Sequence, residues 1–248
     1  MPDITIKKLN YLIRNDKLEN HILNNVNISF LSSEISVILG PSGSGKTSLF
    51  RCIAGLENSY SGDIYFNGEN INNVPTKDRN ISYVPQSFNM YPHMTLFDNI
   101  AYPLKLLGAK KNEIIDRVYT LTDKFGISEI LSRKPKQVSL GELQRACLVR
   151  ALIKRPDICL LDEPFSNLDN ENRSNIRRLC KTIFKELGCT VIISTHSIND
   201  ATSLADHVYI LEKGKFIYSA SPKEIIFDKS PLIEKYFIED KENDLYWL

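Results

Sequence analysis

The sequence predicts an α/β fold built on a mostly parallel sheet, and three observations lead there. Short apolar runs bounded by turn residues recur through the first third of the chain, a long middle stretch changes to helical spacing, and strand-like runs separated by an amphipathic helix return afterwards. The chain has 248 residues, enough for one sizeable domain with an inserted lobe and no need of disulfides or metals to hold it together.

The elements follow in order. Residues 4–6, 26–30, 35–39, 64–66 and 81–84 are apolar runs of strand length, and one helix, over 47–54, interrupts them. From 96 to 153 the apolar positions take helical spacing, as in Ile114, Ile115, Val118, Leu121 and Phe125, with Gly126 as the stop. This stretch reads as a helical lobe inserted into the sheet domain. A strand at 158–161 leads to an amphipathic helix through Ile176, Leu179, Cys180, Ile183 and Leu187, closed by Gly188. Strands recur at 191–194 and 208–211, and past Pro222 the chain is short, helical and charged. Strands that alternate with helices pair in parallel, because the crossover helices cover the faces of the sheet.

Lys and Arg total 31 against 30 Asp and Glu, so no long-range field draws this chain onto nucleic acid or an anionic membrane. Any phosphate it binds must be gripped locally. The five cysteines, Cys52, Cys147, Cys159, Cys180 and Cys189, are odd in number and never in a C-x-x-C spacing, which reads as buried thiols in a reducing compartment. Residues 1–10 carry no apolar signal region, and no apolar run approaches the roughly 20 residues needed to cross a bilayer. A cytosolic protein, or one held at a membrane only through others, is expected.

The chemistry concentrates in a few segments. Gly40, Pro41, Ser42, Gly43, Ser44, Gly45, Lys46 and Thr47 follow an apolar strand and open a helix, the context that a G-x-x-x-x-G-K-T phosphate loop requires. Its glycines let successive N–H groups face a phosphate, and the helix N-terminus adds its positive end. Lys46 is placed for the β- and γ-phosphates of a nucleotide and the Thr47 hydroxyl for Mg²⁺, with Ser48 next in the same turn. Asp162 and Glu163 come directly after four apolar strand residues, at the strand end where open α/β sheets bind ligands. Asp162 fits the metal-supporting carboxylate and Glu163 the base or water-orienting group. His196 ends another apolar run, where it is either a γ-phosphate donor or a structural histidine; His21, His93 and His207 have no comparable context.

Residues 40–47, Gln86 after Val84-Pro85, residues 139–145, residues 160–164, Ser166-Asn167-Leu168-Asp169 and His196 resemble the ATP-binding-cassette (ABC) ATPases in order and spacing. The likeness runs from about residue 4 to about residue 236. It implies the P-loop NTPase fold of the ABC type: a mostly parallel core, an antiparallel β part and a helical subdomain over about 88–155, in one domain spanning 1–240 before a tail at 241–248. It further implies ATP and Mg²⁺ as cofactors and a head-to-tail dimer that sandwiches two ATP molecules. On that likeness Gln86 links the γ-phosphate and Mg²⁺ to the helical lobe, His196 is a switch histidine, Asp169 is a cross-dimer contact, and Ser139 and Gly141 belong to the signature segment.

Val84-Pro85-Gln86-Ser87, Tyr91-Pro92-His93-Met94-Thr95, Asp98-Asn99-Ile100, Pro103-Leu104-Lys105-Leu106 and Arg133-Lys134-Pro135-Lys136 look like the maltose-type branch of solute-importer ATPases. That branch implies transmembrane permease subunits docked on the lobe near Phe88 and Tyr91, an extracytoplasmic solute-binding protein, no nucleic acid, and a peripheral place on the cytoplasmic face of the cell membrane. Three departures matter. The chain ends at Leu248, where maltose-type ATPases continue into a regulatory domain. Ile13 stands where an adenine-stacking aromatic is expected, with Tyr11 two residues earlier. Val138, Leu140 and Glu142 replace three of the five residues of the Leu-Ser-Gly-Gly-Gln signature. The altered signature favours pairing with a second, different cassette subunit. An exporter subunit, a soluble cassette ATPase and a protein that holds ATP without turning it over are the competing readings.

Overall fold

The computed structural model describes the chain except residues 16, 17, 88, 167, 169 and 246–248, and except the side chains of 14, 15, 18, 170–172 and 241–245. The order begins with β1 (Ile4–Asn15), β2 (Leu18–Phe30), β3 (Ile35–Leu39), α1 (Lys46–Ala54), β4 (Tyr60–Phe66), β5 (Glu69–Asn70) and β6 (Ile81–Val84). Helices α2 (Leu96–Leu106), α3 (Lys111–Lys124) and α4 (Leu140–Leu152) follow. The chain continues through β7 (Ile158–Asp162), α5 (Asn170–Leu187), β8 (Thr190–Thr195), α6 (Ile198–Leu204), β9 (His207–Glu212), β10 (Lys215–Ala220), α7 (Pro222–Phe227) and α8 (Pro231–Leu245).

Two sheets result. One has four strands, all antiparallel, in the order β2-β1-β4-β5; the other has six, β10-β9-β3-β8-β7-β6. In the second, β9, β3, β8, β7 and β6 run parallel and only the edge strand β10 is antiparallel. β3, β7 and β8 are buried at every position, as strands covered on both faces must be. Ile38, Leu160, Ile192 and Leu211 face one way, onto Leu49, Phe50 and Ile53 of α1 and, beyond it, Ile4, Leu9 and Phe30 of the antiparallel sheet. Val37, Leu39, Leu161, Val191, Ile193 and Val208 face the other way, onto α4, α5 and α6. The first helix is therefore clamped between two sheets, which fixes the phosphate loop at its N-terminus.

The parallel neighbours β6 and β7 are connected through α2, α3 and α4, which carry their own apolar stripes. Thr95 caps α2 by accepting from the Asp98 N–H, and the fully buried Asn99 side chain ties α2 to the preceding loop through the N–H and carbonyl of Tyr91. Among the described residues no helix is long and apolar enough to cross a membrane, and all five cysteines are buried thiols.

The structure extends two of the sequence expectations. β2 starts at Leu18, well before the apolar run at 26–30, because its pairing with β1 continues through the exposed residues Glu19, Asn20 and His21. β10 has no counterpart among the expected strands. It is an edge strand with alternating exposure, joined to β9 by Lys213 and Gly214, both at positive φ (47° and 73°), a two-residue hairpin turn.

Candidate active site

β3 ends at Leu39, where the Gly40 N–H reaches the Thr195 carbonyl at 3.2 Å and joins the phosphate loop to the end of β8. A side chain at Gly40 would place its Cβ 2.3 Å from the Leu211 carbonyl oxygen, so no larger residue fits. Gly45, at φ +109°, turns the chain into α1, and its Cβ would meet the Ile22 carbonyl oxygen at 2.8 Å. Gly214 braces the same corner: its N–H donates to Ser44 O at 3.0 Å, its carbonyl accepts from the Asn24 N–H, and a Cβ there would lie 2.4 Å from Ile22 O. Pro41, Ser42 and Gly43 form the exposed rim of the loop; Ser48 follows Thr47 in the first turn of the helix.

Lys46 is buried at 6% exposure, with Nζ donating to the carbonyls of Gly40 (2.6 Å) and Pro41 (3.0 Å) and lying 3.8 Å from Glu163 Oε1. Burial lowers its pKa, and the carboxylates of Glu163 and Asp162 oppose that. Thr47 Oγ1 donates to Asp162 Oδ2 at 2.7 Å. Asp162 is 2% exposed and also receives the Ser194 hydroxyl on Oδ1 at 2.5 Å and the Tyr83 hydroxyl on Oδ2 at 3.3 Å. Glu163 sits at φ +51°, an uncommon backbone for a non-glycine residue and a type of strain that concentrates at functional sites. Its N–H donates to Ser194 O and Oγ, each at 3.1 Å, and Oε2 lies 2.9 Å from His196 Nδ1.

Lys46, Thr47, Asp162, Glu163 and His196 thus form one cluster from three neighbouring strand ends. Gln86 joins it across a cavity of about 770 Å³ that it lines with Thr47, Tyr83, Arg150 and Asp162. Ser139 and Gly141 belong to a different corner. Ser139 caps α4, accepting from the Glu142 N–H at 3.3 Å, while Glu142 Oε2 accepts from the Ser139 N–H at 2.7 Å and from its hydroxyl at 2.9 Å. Those donors hold the Glu142 carboxyl below its usual range. Leu140 beside it is 50% exposed, and a Cβ on Gly141 would approach Leu168 at 3.3 Å. Tyr11 is partly buried against the antiparallel-sheet core, with its hydroxyl donating to Glu57 Oε2 at 2.9 Å, whereas Ile13 is exposed. Asp169 and Phe88 lie outside the described residues. Tyr91 is exposed, with its ring 5.2 Å from that of Tyr102.

The residues present fit a nucleotide and Mg²⁺. Ser44 Oγ is buried and has no hydrogen-bond partner among the described residues, as a hydroxyl reserved for a phosphate oxygen should be. The Thr47 hydroxyl and Asp162 carboxylate are hard oxygen donors side by side. Sequence reasoning did not single out Ser194 or Tyr83 as the holders of Asp162. The signal for Ser194 is a hydroxyl inside an apolar strand run.

A family profile described as "ABC transporter" matches residues 23–166, more than half of the chain. The chain belongs to the ABC transporter family. Among its ABC relatives, the maltose/maltodextrin import ATP-binding protein MalK of Photobacterium profundum is 41% identical over 207 residues, 84% of this chain and 56% of the relative. The molybdate/tungstate import ATP-binding protein WtpC of Thermococcus kodakarensis is 42% identical over 86% of this chain and 64% of the relative. The spermidine/putrescine import ATP-binding protein PotA of Haemophilus influenzae is 39% identical over 88% and 59%. The chain therefore spans roughly 56–64% of the length of these curated relatives. A solved dimer of the ATP-binding cassette MJ0796, in a post-hydrolysis state with ADP and Pi, superposes with a TM-score of 0.82 at 28% identity, covering 88% of this chain and 98% of that one. The ABC fold expected from the sequence, parallel core and antiparallel sheet included, is the fold observed.

Proposed function

We propose that this chain is the ATP-hydrolysing subunit of an ABC importer, working at the cytoplasmic face of a membrane on permease subunits, with an extracytoplasmic solute-binding protein. The observation that carries the catalytic part is the cluster in which Lys46, Thr47, Asp162, Glu163 and His196 meet at three strand ends. Import is supported by relatives whose names all describe import ATP-binding proteins. Those names cover maltose, molybdate or tungstate, and spermidine or putrescine, so a small solute is the class proposed and a sugar is one candidate within it.

In this reading the loop N–H groups of 40–47 and the Lys46 ammonium hold the β- and γ-phosphates. Glu163 orients a water for attack on the γ-phosphorus and takes up its proton as the bond to the β,γ-bridging oxygen breaks, giving ADP and phosphate. His196, held by Glu163, presents its ring toward the γ-phosphate. Thr47, Asp162 and Gln86 would hold Mg²⁺, which would offset the negative charge of the phosphates. Ser139 and Gly141 complete the site of a second cassette subunit, and Ile13, exposed where Tyr11 is partly buried against the core, meets the adenine.

The test is reconstitution. The chain purified alone should turn over ATP slowly, and the complex recovered in mild detergent should contain permease subunits and hydrolyse ATP faster when its solute-binding protein is loaded. A fully active monomer, or a complex that exports, contradicts the reading.

A further inference from the structure

His196 occupies a two-residue joint between the end of β8 and α6, and this joint is held from the far end of the chain. The helix α8 lays Ile233, Tyr236 and Asp240 along one face, all buried at 0%, 1% and 6% exposure. The Tyr236 hydroxyl donates to Glu212 Oε1 at 2.8 Å, anchoring α8 to the end of β9. One turn further on, Asp240 Oδ2 accepts from the Ser197 hydroxyl at 3.0 Å and from the Asn199 N–H at 2.8 Å.

Ser197 directly follows His196. Its one hydroxyl proton goes to Asp240, which leaves its oxygen to accept from the Asp200 N–H at 3.2 Å and so cap α6. Its N–H donates to Thr195 Oγ1, whose own proton goes to Asp200 Oδ2. Asp200 in turn is held by Arg173 and Arg177 of α5 at 3.0 and 2.8 Å. Thr195, Ser197, Asp200 and Asp240 are all buried, so losing a bond among them leaves an unsatisfied buried group, while the Asn199 and arginine contacts at the edge of the ring are part-buried. Burial and the nearby Asp200 push the Asp240 carboxyl up; the Asn199 N–H, the Ser197 hydroxyl and Arg173 oppose this.

From this geometry we infer that Asp240 is a positioning residue for ATP turnover: through Ser197 and Asn199 it sets the joint that carries the His196 ring. The consequence is that α8 is a handle on the catalytic cluster, although none of its described side chains bonds to the phosphate loop. The assignment holds only if His196 acts at the γ-phosphate, and the experiment separates the two.

In the assembled complex, Asp240→Ala is expected to lower kcat for ATP hydrolysis between ~10-fold and ~100-fold, the scale of a small misplacement transmitted to a reacting group. The KM for ATP should move less than ~3-fold, since the phosphate loop is untouched. Asp240→Asn, whose amide oxygen still accepts from the Asn199 N–H, should keep most of the rate. In a His196→Ala background, Asp240→Ala should cause no further fall in kcat. A normal rate in Asp240→Ala beside an impaired His196→Ala overturns the Asp240 assignment alone, whereas a normal rate in His196→Ala removes the role of His196 and the assignment with it. Equal losses in both backgrounds, or a loss matched by weaker ATP binding, make Asp240 merely structural and also overturn it. Should Asp240→Ala not fold, Ser197→Ala removes one of the same two bonds and must itself lower kcat at constant KM; a normal rate there overturns the proposal.

Discussion

Nδ1 of His196 lies 2.9 Å from Oε2 of Glu163, and that hydrogen bond raises the histidine's pKa above its ordinary value, against the lowering effect of burial. A group whose folded pKa is raised contributes stability that is complete below the unfolded pKa and is lost as pH rises through the folded one. The destabilisation caused by His196→Ala should therefore be largest below the ordinary histidine pKa of about 6.5 and shrink as pH rises through the raised folded-state value. Thermal melts across that range check the sign. The His196 ring titration followed by NMR should move down in Glu163→Gln.

Glu163→Gln should keep ATP binding within about threefold and lower the chemical step by about 100-fold or more, because the amide preserves shape and loses proton affinity. Single-turnover hydrolysis in the assembled complex is the measurement. A near-normal step would remove Glu163 from the role of base.

Lys46→Ala should weaken ATP binding by about tenfold or more, since a charge-assisted hydrogen bond to phosphate is worth roughly 1.5–3 kcal/mol. Binding of a fluorescent ATP analogue to the purified chain reads this directly. Hydrolysis by the complex should fall with it.

Arg79→Ala is expected to unfold the protein more readily without touching the nucleotide. The buried guanidinium donates to the carbonyls of Cys52, Ile53, Ile71 and Val74, closing the C-terminal end of α1 beside Gly55. Its removal strands those acceptors, at a cost of about 2–4 kcal/mol in a denaturant titration.

The native complex should contain a second, different cassette subunit, because Leu140 and Glu142 alter the segment this chain offers to its partner. The Glu142 carboxylate is folded onto Ser139, at the helix N-terminus that would otherwise attract an anion. Native mass spectrometry counts the subunits. Leu140→Gly combined with Glu142→Gln should raise hydrolysis, up to about twofold if one of two sites is impaired. A homodimer, or an unchanged rate, defeats the asymmetric arrangement.

The strand-end positions of residues 40–47, Asp162 and Glu163, and the succession of strands along the chain, are legible in the sequence because each depends on local chemistry: glycines at turns, apolar runs, acids at a strand end. The contacts made by Ser194, Tyr83 and Asp240 are not. Ser194 meets Asp162 across 32 positions and Asp240 meets Ser197 across 43, so only the fold brings them together. Strand β10 is different: Phe216-Ile217-Tyr218 is as apolar as the run at 64–66, and only its alternating exposure marks it as an edge strand. Nor does the sequence show that the Tyr11 hydroxyl meets Glu57, a partner 46 residues away.

The corner where Gly45, Gly214 and Ile22 O meet makes three distant stretches of chain one mechanical part. A chimera that transplants residues 40–47 alone onto another cassette would inherit the motif without its mould. The strand residues 22–24 and the hairpin turn 213–214 would have to travel with it, and a recombination boundary placed between any two of them should yield a protein that folds yet grips phosphate poorly.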